Sequence, residues 1–252
     1  MIRLVVGAGE ELTAAGADLV AEVVGEHPDA TLGFATGATP APLYAELARR
    51  RHAGELGLSR VRAVALDEYL GLAPEHPDSY AAQLHREVVG PLGIPRESCD
   101  FLRGDAADPD AECTRYEGVL ARGVDLQVLG IGRNGHIAFN EPGADAASRT
   151  RVVALEPSTR AANRHLLTEL AEVPEQALSQ GIGTILEARR VLLVARGAAK
   201  AEVLARALRG PIDPACPASA LQLHEHVTVL ADEEAAAGLL HDLRTAGING
   251  GL

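Results

Sequence analysis

Aromatic residues and basic residues are scarce in this sequence of 252 amino acids. Tryptophan is absent and aromatic side chains make up only 3% of the chain, so the stacking platforms that hold single-stranded nucleic acid are missing. The 23 lysines and arginines are outnumbered by 35 aspartates and glutamates, and the net charge of −12 repels nucleic acid and anionic membranes. We therefore expect no nucleic-acid or membrane partner, and any bound phosphate needs locally placed donors.

Cysteines and long apolar runs are also few. Cys99, Cys113 and Cys216 are odd in number and far apart, which argues against a disulfide framework and against a paired-cysteine metal site. No stretch approaches the roughly 18 apolar residues of a membrane-spanning helix. Met1 to Glu11 is too short and too acidic for a signal peptide. These features predict a soluble, cytoplasmic protein.

The hydrophobic pattern predicts an α/β fold. Short β-branched or leucine-rich runs, typical of strands buried on both faces, occur at Arg3–Val6, Leu32–Ala35, Val61–Leu66, Leu126–Ile131, Arg151–Leu155, Val191–Ala195 and Val227–Leu230. Amphipathic, alanine-rich stretches lie between most of them, at Glu10–Glu26, Ala41–His52, Ser79–Val89, Asp110–Arg122, Ala198–Leu208 and Asp232–Leu243. Alternating strands and helices indicate a mostly parallel sheet flanked by helices. No linker divides the chain, so we expect a single domain over residues 1–252.

Two segments break this alternation. From Ala138 to Arg149, Pro142 and Gly143 lie where a crossover helix would begin, and a loop of this length inside a domain is usually functional. The region 156–174 separates two predicted strands with short or irregular structure. We interpret it as a short lid segment over a site.

Two predicted strand ends carry groups suited to an anion, because parallel sheets bind ligands at the carboxyl ends of their strands. Thr36 to Pro40, which includes Gly37, Ala38 and Thr39, precedes a helix with Thr39 as its N-cap and Pro40 as its first residue. Free backbone N–H groups there would accept a phosphate, although an ordinary capped turn explains the same residues. Lys200 follows another strand and would either reach that phosphate or lie in solvent.

Asp67 directly follows the run Val61–Leu66. A carboxylate at the end of a strand buried on both faces would have a raised pKa and suit a general base near neutral pH. The alternative is a structural role as a helix cap or salt-bridge partner.

The run Gly130 to His136 matches the dinucleotide fingerprint G-x-G-x-x-G. It fails the structural requirement, because Pro142 and Gly143 leave no room for the helix that the third glycine must start. The loop instead brings together His136, Asn140 and Glu141. An imidazole beside a carboxylate would form an acid–base pair, or a purely structural contact.

Several motifs together resemble the glucosamine-6-phosphate deaminase family. They are Thr36–Pro40, Leu66–Tyr69, His76–Tyr80, Leu129–Gly143, Ala147–Arg151 and Ser219–His224, and they cover nearly the whole chain. The resemblance implies a Rossmann-like α/β fold and the conversion of glucosamine 6-phosphate and water to fructose 6-phosphate and ammonia. It implies neither a metal nor an organic cofactor.

The resemblance also implies roles for individual residues. His136 is similar to the family's ring-opening acid/base, with Glu141 orienting it and biasing its charge, and Asp67 to the base that moves a proton between two carbons. Asn134 stands where some relatives have aspartate and keeps a hydrogen-bonding side chain. For the phosphate, the resemblance implicates residues 37–39, Lys200 and a lid arginine; that arginine falls on His165, and we take Arg164 beside it as the candidate.

Three questions stay open at this stage. A 6-phosphogluconolactonase shares the implied fold and phosphate turn, but lactone opening has no use for a base such as Asp67. A catalytically silent sugar-phosphate sensor is the second alternative.

The oligomeric state is open as well. Arg151 lies where hexameric relatives bind an allosteric activator, yet Val152 and Val153 follow it without a lysine, which leaves a homo-oligomer or a monomer open. The preference between glucosamine and galactosamine 6-phosphate is also open.

Overall fold

The structure is a computed structural model that describes residues 2–245. These residues form two β-sheets. The expectation of one domain over 1–252 extends beyond these residues at both ends. The strands are β1 (Ile2–Val6), β2 (Thr31–Phe34), β3 (Arg62–Ala65), β4 (Asp67–Tyr69), β5 (Cys99–Asp100), β6 (Leu126–Gly130), β7 (Arg151–Ala154), β8 (Gln176–Ser179), β9 (Val191–Ala195) and β10 (Val227–Ala231). The α-helices are α1 (Gly9–Glu26), α2 (Ala41–His52), α3 (Tyr80–Leu84), α4 (Gly90–Leu92), α5 (Pro109–Leu120), α6 (Pro157–Asn163), α7 (Ile182–Leu186), α8 (Ala201–Arg209) and α9 (Glu233–Thr245).

The larger sheet has seven strands among the described residues, in the order β1-β10-β9-β6-β2-β3-β5. Every pair in it is parallel. The α/β fold with a mostly parallel sheet is therefore confirmed. Because all of its strands run the same way, the loops after β2, β3 and β6 meet at one edge.

Burial on both faces, predicted for the strands, is clearest in β9. All five of its residues are buried. Val191, Leu193 and Ala195 belong to the apolar cluster on one face of the sheet. Leu192 and Val194 belong to the cluster on the other face. The helices cover both faces, so no side of this strand is left for solvent.

A smaller sheet of three antiparallel strands, β4-β8-β7, lies beside the carboxyl edge of the larger one. The run Arg151–Leu155 was expected to extend the parallel sheet, and that expectation was wrong: β7 pairs antiparallel with β8 instead. The strands β4, β5 and β8 were not predicted. Strands β4 and β5 have only three and two residues, too few for hydrophobic alternation to identify them.

The predicted helices are present, with shifts at their ends. Helix α2 has the predicted bounds, Ala41–His52, but its N-cap is Pro40, so the prediction of Thr39 as the cap was wrong. Residues Tyr80 to Leu92 form one helical segment, in which a π-helical turn, His85–Val89, joins α3 to α4. Lys200 ends a 3₁₀ turn that leads into α8. No helix within residues 2–245 has the length and hydrophobicity needed to cross a membrane.

Two buried tyrosines hold the ends of β2 and β3. The Tyr44 hydroxyl donates to the carbonyl of Ala35 at 2.8 Å and accepts from its N–H at 3.0 Å. The Tyr116 hydroxyl donates to the carbonyl of Ala65 at 2.7 Å and accepts from its N–H at 2.8 Å. Each phenol, carried by a helix, thus replaces the neighbouring strand that the ladder lacks at that point.

The segment 156–174 joins β7 to β8 and crosses the carboxyl edge of the large sheet. It contains α6, a 3₁₀ turn at Arg164–Leu166 and a return limb over residues 167–174. Val173 of this segment packs into a small apolar cluster with Tyr69, Leu72, Tyr80, Phe139, Leu155 and Ala177. Its role as a lid remains a prediction.

Candidate active site

A cavity of about 820 Å³ opens at the carboxyl ends of β2, β3 and β6, a size ordinary for a small-molecule site. The turn after β2, the start of β4, the loop after β6 and helix α6 surround it. Predicted site residues among its lining are Gly37, Thr39, Asp67, Asn134, His136 and Lys200. The topology of the sheet therefore brings together residues that are up to 163 positions apart, from Gly37 to Lys200.

Asp67 faces this cavity from the first position of β4 and is buried, with 8% of its surface exposed. Its carboxylate accepts no hydrogen bond from another residue within 2–245. Burial, followed by the charge of Glu68, raises its pKa to about 8. A desolvated carboxylate with both oxygens free toward a cavity has the properties of a general base rather than of a cap or ion-pair partner.

Glu68, next to it, points the opposite way and is structural. Its carboxylate accepts backbone hydrogen bonds from Tyr69 at 2.8 Å, Tyr80 at 3.0 Å and Ala81 at 2.8 Å. Burial raises its pKa to about 7, against the lowering effect of these three bonds. These bonds fix the start of α3 to β4, and with it the backbone that carries Asp67.

His136, Asn134 and Glu141 form a connected group on the loop after β6. Nδ1 of His136 lies 3.4 Å from Oε2 of Glu141. Asn134 donates from Nδ2 to the same oxygen at 2.7 Å and accepts from the backbone N–H of His136 at 3.2 Å. Thr159 of α6 donates its hydroxyl proton to Oε1 of Glu141.

Glu141 is therefore held as a carboxylate. Burial alone would raise its pKa, but the contacts with His136, Thr159 and Asn134 outweigh burial and lower it to about 2. Glu141 is not among the residues that line the cavity, whereas His136 is. The carboxylate thus acts on the imidazole from behind, as expected for a residue that orients a catalytic histidine.

The backbone of this loop permits the close packing. A Cβ on Gly132 would lie 2.3 to 2.5 Å from three atoms of the His136 ring, so only glycine leaves room for the imidazole. Ala138 has φ of 49°, the only positive φ among the described residues other than glycine. Strained backbone of this kind concentrates at functional sites. Asn140, fully buried, stabilises the turn by donating to the carbonyls of Ile137 and Gln180.

Two cations, Lys200 and Arg133, also line the cavity. Lys200 donates from Nζ to the carbonyl of Ile131 at 2.7 Å. Burial, followed by the charge of Arg133, lowers the pKa of Lys200. Arg133 has no hydrogen bond or salt bridge with another residue of the described chain, and it also lines the cavity. Beside them, Gly37 turns the chain with φ of 100°, and Thr39 has its hydroxyl free of partners within 2–245.

Two of the expected phosphate residues lie elsewhere. Ala38 is exposed and is not part of the lining. Arg164 is also exposed and outside it, and His165 lines the cavity instead. The lining residues of this segment, Ser158, Thr159, Ala162, Asn163 and His165, follow helical spacing, so His165 and not Arg164 continues their row. Arg164 therefore needs no further place in the site.

Sequence reasoning missed Tyr80, Arg133, Thr159 and Asn163 as lining residues. Asn163 donates from Nδ2 to the hydroxyls of Tyr69 at 3.1 Å and Tyr80 at 3.4 Å, which joins α6 to the wall beside Asp67. Tyr80 belongs to the motif His76–Tyr80, the one signal that pointed to it. Arg133 also lies within a motif, Leu129–Gly143, whereas Thr159 and Asn163 lie outside the motifs named above.

His224 and His226, two positions apart before β10, have structural roles. Nε2 of His224 contacts the carbonyl of Ala188 at 2.7 Å, and its Nδ1 accepts the backbone N–H of His226 at 3.0 Å. Within residues 2–245, no three His, Cys, Asp or Glu side chains are grouped so as to hold a metal ion.

Comparison with known proteins agrees with this site. Residues 8–230 match the family model described as glucosamine-6-phosphate isomerases/6-phosphogluconolactonase. The chain belongs to this family. It is 47% identical to a glucosamine-6-phosphate deaminase of Arthrobacter sp. over 91% of this chain and 89% of the relative, and 48% identical to that of Streptomyces coelicolor over 89% of each.

The chain resembles two kinds of solved structure to different degrees. A monomeric glucosamine-6-phosphate deaminase superposes with a TM-score of 0.89 and 41% identity, over 94% of this chain and 99% of the other. The 6-phosphogluconolactonase of Trypanosoma brucei superposes with a TM-score of 0.74 but only 23% identity, over 95% of this chain and 99% of the other. The lactonase likeness shows the shared fold alone, whereas the deaminase likeness extends to the sequence.

Proposed function

We propose that this protein is a glucosamine-6-phosphate deaminase, which converts glucosamine 6-phosphate and water to fructose 6-phosphate and ammonia. The observation that carries the proposal is the Asp67 carboxylate, buried, free of partners and facing the same cavity as His136. An isomerisation needs a base over two neighbouring carbons, and lactone hydrolysis does not. The relatives at 45–48% identity bear the deaminase name, which supports the same choice.

The phosphate end of the substrate would bind first. The turn 37–39, the hydroxyl of Thr39 and the ammonium of Lys200 supply donors at one end of the cavity, and Arg133 adds a second cation. In a chain of net charge −12, two cations without a carboxylate partner form a local site for an anion. Binding there places the sugar ring toward Asp67 and His136.

Ring opening is the role we assign to His136. A proton must leave the anomeric hydroxyl and another must reach the ring oxygen, and an imidazole can do both in turn. Glu141, ionised and in contact with Nδ1, stabilises the imidazolium that forms after the first transfer. Asn134 and Thr159 keep Glu141 in that position.

Asp67 would then act on the open chain. Its carboxylate takes the proton from C2, which leaves an enolamine, and returns a proton to C1. The nitrogen on C2 becomes an iminium, water adds to that carbon, and ammonia leaves to give the ketone. Closure of the segment 156–174 would protect the enolamine from bulk water while this occurs.

The test is product formation by the purified protein. We expect stoichiometric ammonia and fructose 6-phosphate from glucosamine 6-phosphate, with one solvent deuterium at C1 of the product in D₂O. Asp67→Asn is expected to abolish both the exchange and the ammonia. Turnover of 6-phosphogluconolactone without ammonia release would support the lactonase instead, and binding without turnover would support a sensor. Parallel assays with galactosamine 6-phosphate define the epimer preference.

A further inference from the structure

The carboxylate of Asp78 accepts hydrogen bonds from the segment 156–174. One oxygen accepts the backbone N–H and the hydroxyl of Thr168, each at 2.5 Å. The other accepts the backbone N–H groups of Glu169 at 2.9 Å and Leu170 at 2.7 Å. The side chain is 7% exposed and is not part of the cavity lining. Four hydrogen bonds thus join one carboxylate to three consecutive residues of the return limb.

Within residues 2–245, the Asp78 carboxylate neither caps a helix nor forms a salt bridge. Asp78 precedes helix α3, but the cap of that helix is Ser79, whose hydroxyl oxygen accepts the N–H of Ala82 at 3.0 Å. No lysine or arginine forms a salt bridge with Asp78 among the described residues. Burial would raise the pKa of Asp78, but the four hydrogen bonds outweigh it and hold the pKa well below its ordinary value. The group stays ionised at neutral pH.

The contacts of α6 with the cavity are of a different kind. Asn163 donates to two phenol oxygens at 3.1 and 3.4 Å, and Thr159 makes one hydrogen bond to Glu141. Hydrogen bonds to an ionised acceptor are roughly twice as strong as neutral ones. Asp78 makes four such bonds on the return limb, and helix α6 makes one, from Thr159, on the cavity side. The return limb is therefore the more firmly held part of the segment.

We propose that Asp78 is the hinge anchor of the lid, a positioning residue that fixes residues 168–170 while α6 opens and closes over the cavity. The anchor determines where α6 returns, and hence whether Thr159 reaches Glu141 and Asn163 reaches Tyr80. This inference rests on the proposed function only for its kinetic consequence. The anchoring itself is a property of the free protein.

Limited proteolysis tests the anchor without any substrate. Arg164 is an exposed trypsin site between α6 and the return limb. In Asp78→Asn, an amide replaces one acceptor oxygen with a donor that opposes the N–H groups. We expect cleavage after Arg164 to become about tenfold faster than in the wild type, since local opening controls proteolysis. The matched control is Glu169→Gln. This change also removes one negative charge, here from the lid itself, but it keeps the backbone N–H that donates a hydrogen bond to Asp78.

The kinetic readout separates anchoring from general destabilisation. With glucosamine 6-phosphate, we expect KM of Asp78→Asn to rise about tenfold and kcat to change less than threefold, because chemistry proceeds normally once the lid closes. If Asp78→Asn does not fold, Thr168→Val and Thr168→Ser form a second pair, in which only the serine keeps the hydroxyl donor. Faster cleavage in the valine variant alone supports the anchor.

Two results would overturn the proposal. One is wild-type cleavage and KM in Asp78→Asn; the other is equal cleavage of the Thr168→Val and Thr168→Ser variants. A wild-type protein that releases no ammonia would instead refute the proposed function, and the proteolysis comparison would still decide the anchor.

Discussion

The amide of Asn134 donates to Oε2 of Glu141 at 2.7 Å, the same oxygen that lies 3.4 Å from Nδ1 of His136. Asn134 also accepts the backbone N–H of His136. The asparagine therefore connects both members of the pair. It can position them without adding a second negative charge beside the imidazole.

Replacing the carboxylate is expected to cost more than removing the asparagine. Glu141→Gln removes the charge that stabilises the imidazolium, so we expect kcat to fall about 10²- to 10³-fold, a usual cost for a supporting acid–base group. Asn134→Ala leaves that charge in place and should lower kcat about tenfold. Steady-state ammonia release measures both. Equal losses would mean that Glu141 acts only through its position.

Asp67→Asn is expected to remove activity and increase stability. In the native protein Asp67 has a pKa of about 8, so between pH 4 and 8 the native state binds more protons than the unfolded state, and stability falls as pH rises. The asparagine variant lacks this loss, which amounts to about 1.4 kcal/mol per pKa unit. Its advantage over the wild type in denaturant unfolding should be small at pH 4.5 and reach a few kcal/mol at pH 8.5. A pH-independent difference would contradict the raised pKa.

The same titration should appear in the kinetics. A base must be deprotonated to act, so kcat/KM is expected to rise with pH through an apparent pKa near 8. Glu141, with a pKa of about 2, remains ionised over the whole range and adds no limb above pH 4. A pH series of kcat/KM at constant ionic strength tests this. A plateau from pH 5 upward would assign the base role elsewhere.

Arg133 and Lys200 are expected to bind the phosphate end of the substrate. Removal of either cation, by Arg133→Gln or Lys200→Met, should raise KM at least tenfold with a smaller effect on kcat, since the phosphate is bound equally in the ground and transition states. Competitive inhibition by inorganic phosphate should weaken in parallel. Arg164→Gln is the control, because that residue lies outside the cavity. Unchanged inhibition in the Arg133 variant would remove this residue from the anion site.

Gly132→Ala tests the packing of the histidine. The new Cβ would overlap the His136 ring, so we expect the imidazole to be displaced and kcat to fall by about 10² or more, as 1 Å misplacements do. Gly130→Ala is a matched control two residues earlier, where a Cβ meets nothing within 4 Å. Activity assays with melting curves separate the two outcomes. Equal activities would show that the ring can move aside at no cost.

Much of the fold was predictable because its signals are local. The buried strands of the large sheet are apolar runs, and the helices between them have clear periodicity, as β9 and α2 illustrate. The small sheet was not, since β4 and β8 are short and pair across more than 100 residues. Their pairing depends on the completed fold rather than on composition.

The site divides in the same way. Asp67 and His136 come shortly after predicted strands of the parallel sheet, β3 and β6, so their meeting at one edge follows from parallel topology. Thr159 and Asn163 come from α6, whose position is set by contacts such as that between Asp78 and Thr168. Arg164 was preferred to His165 because it is the arginine beside the position that the resemblance implicates, and only the structure shows that His165 lines the cavity.

The phenols of Tyr44 and Tyr116 have a consequence for how the enzyme tolerates change. Both phenols bind the chain immediately before segments that line the cavity, yet both belong to helices that cover the large sheet. A substitution that shifts α2 would also shift the turn 37–39, and one that shifts α5 would also shift Asp67. The positions of residues far from the cavity would therefore be under the same selection as the positions of those that line it.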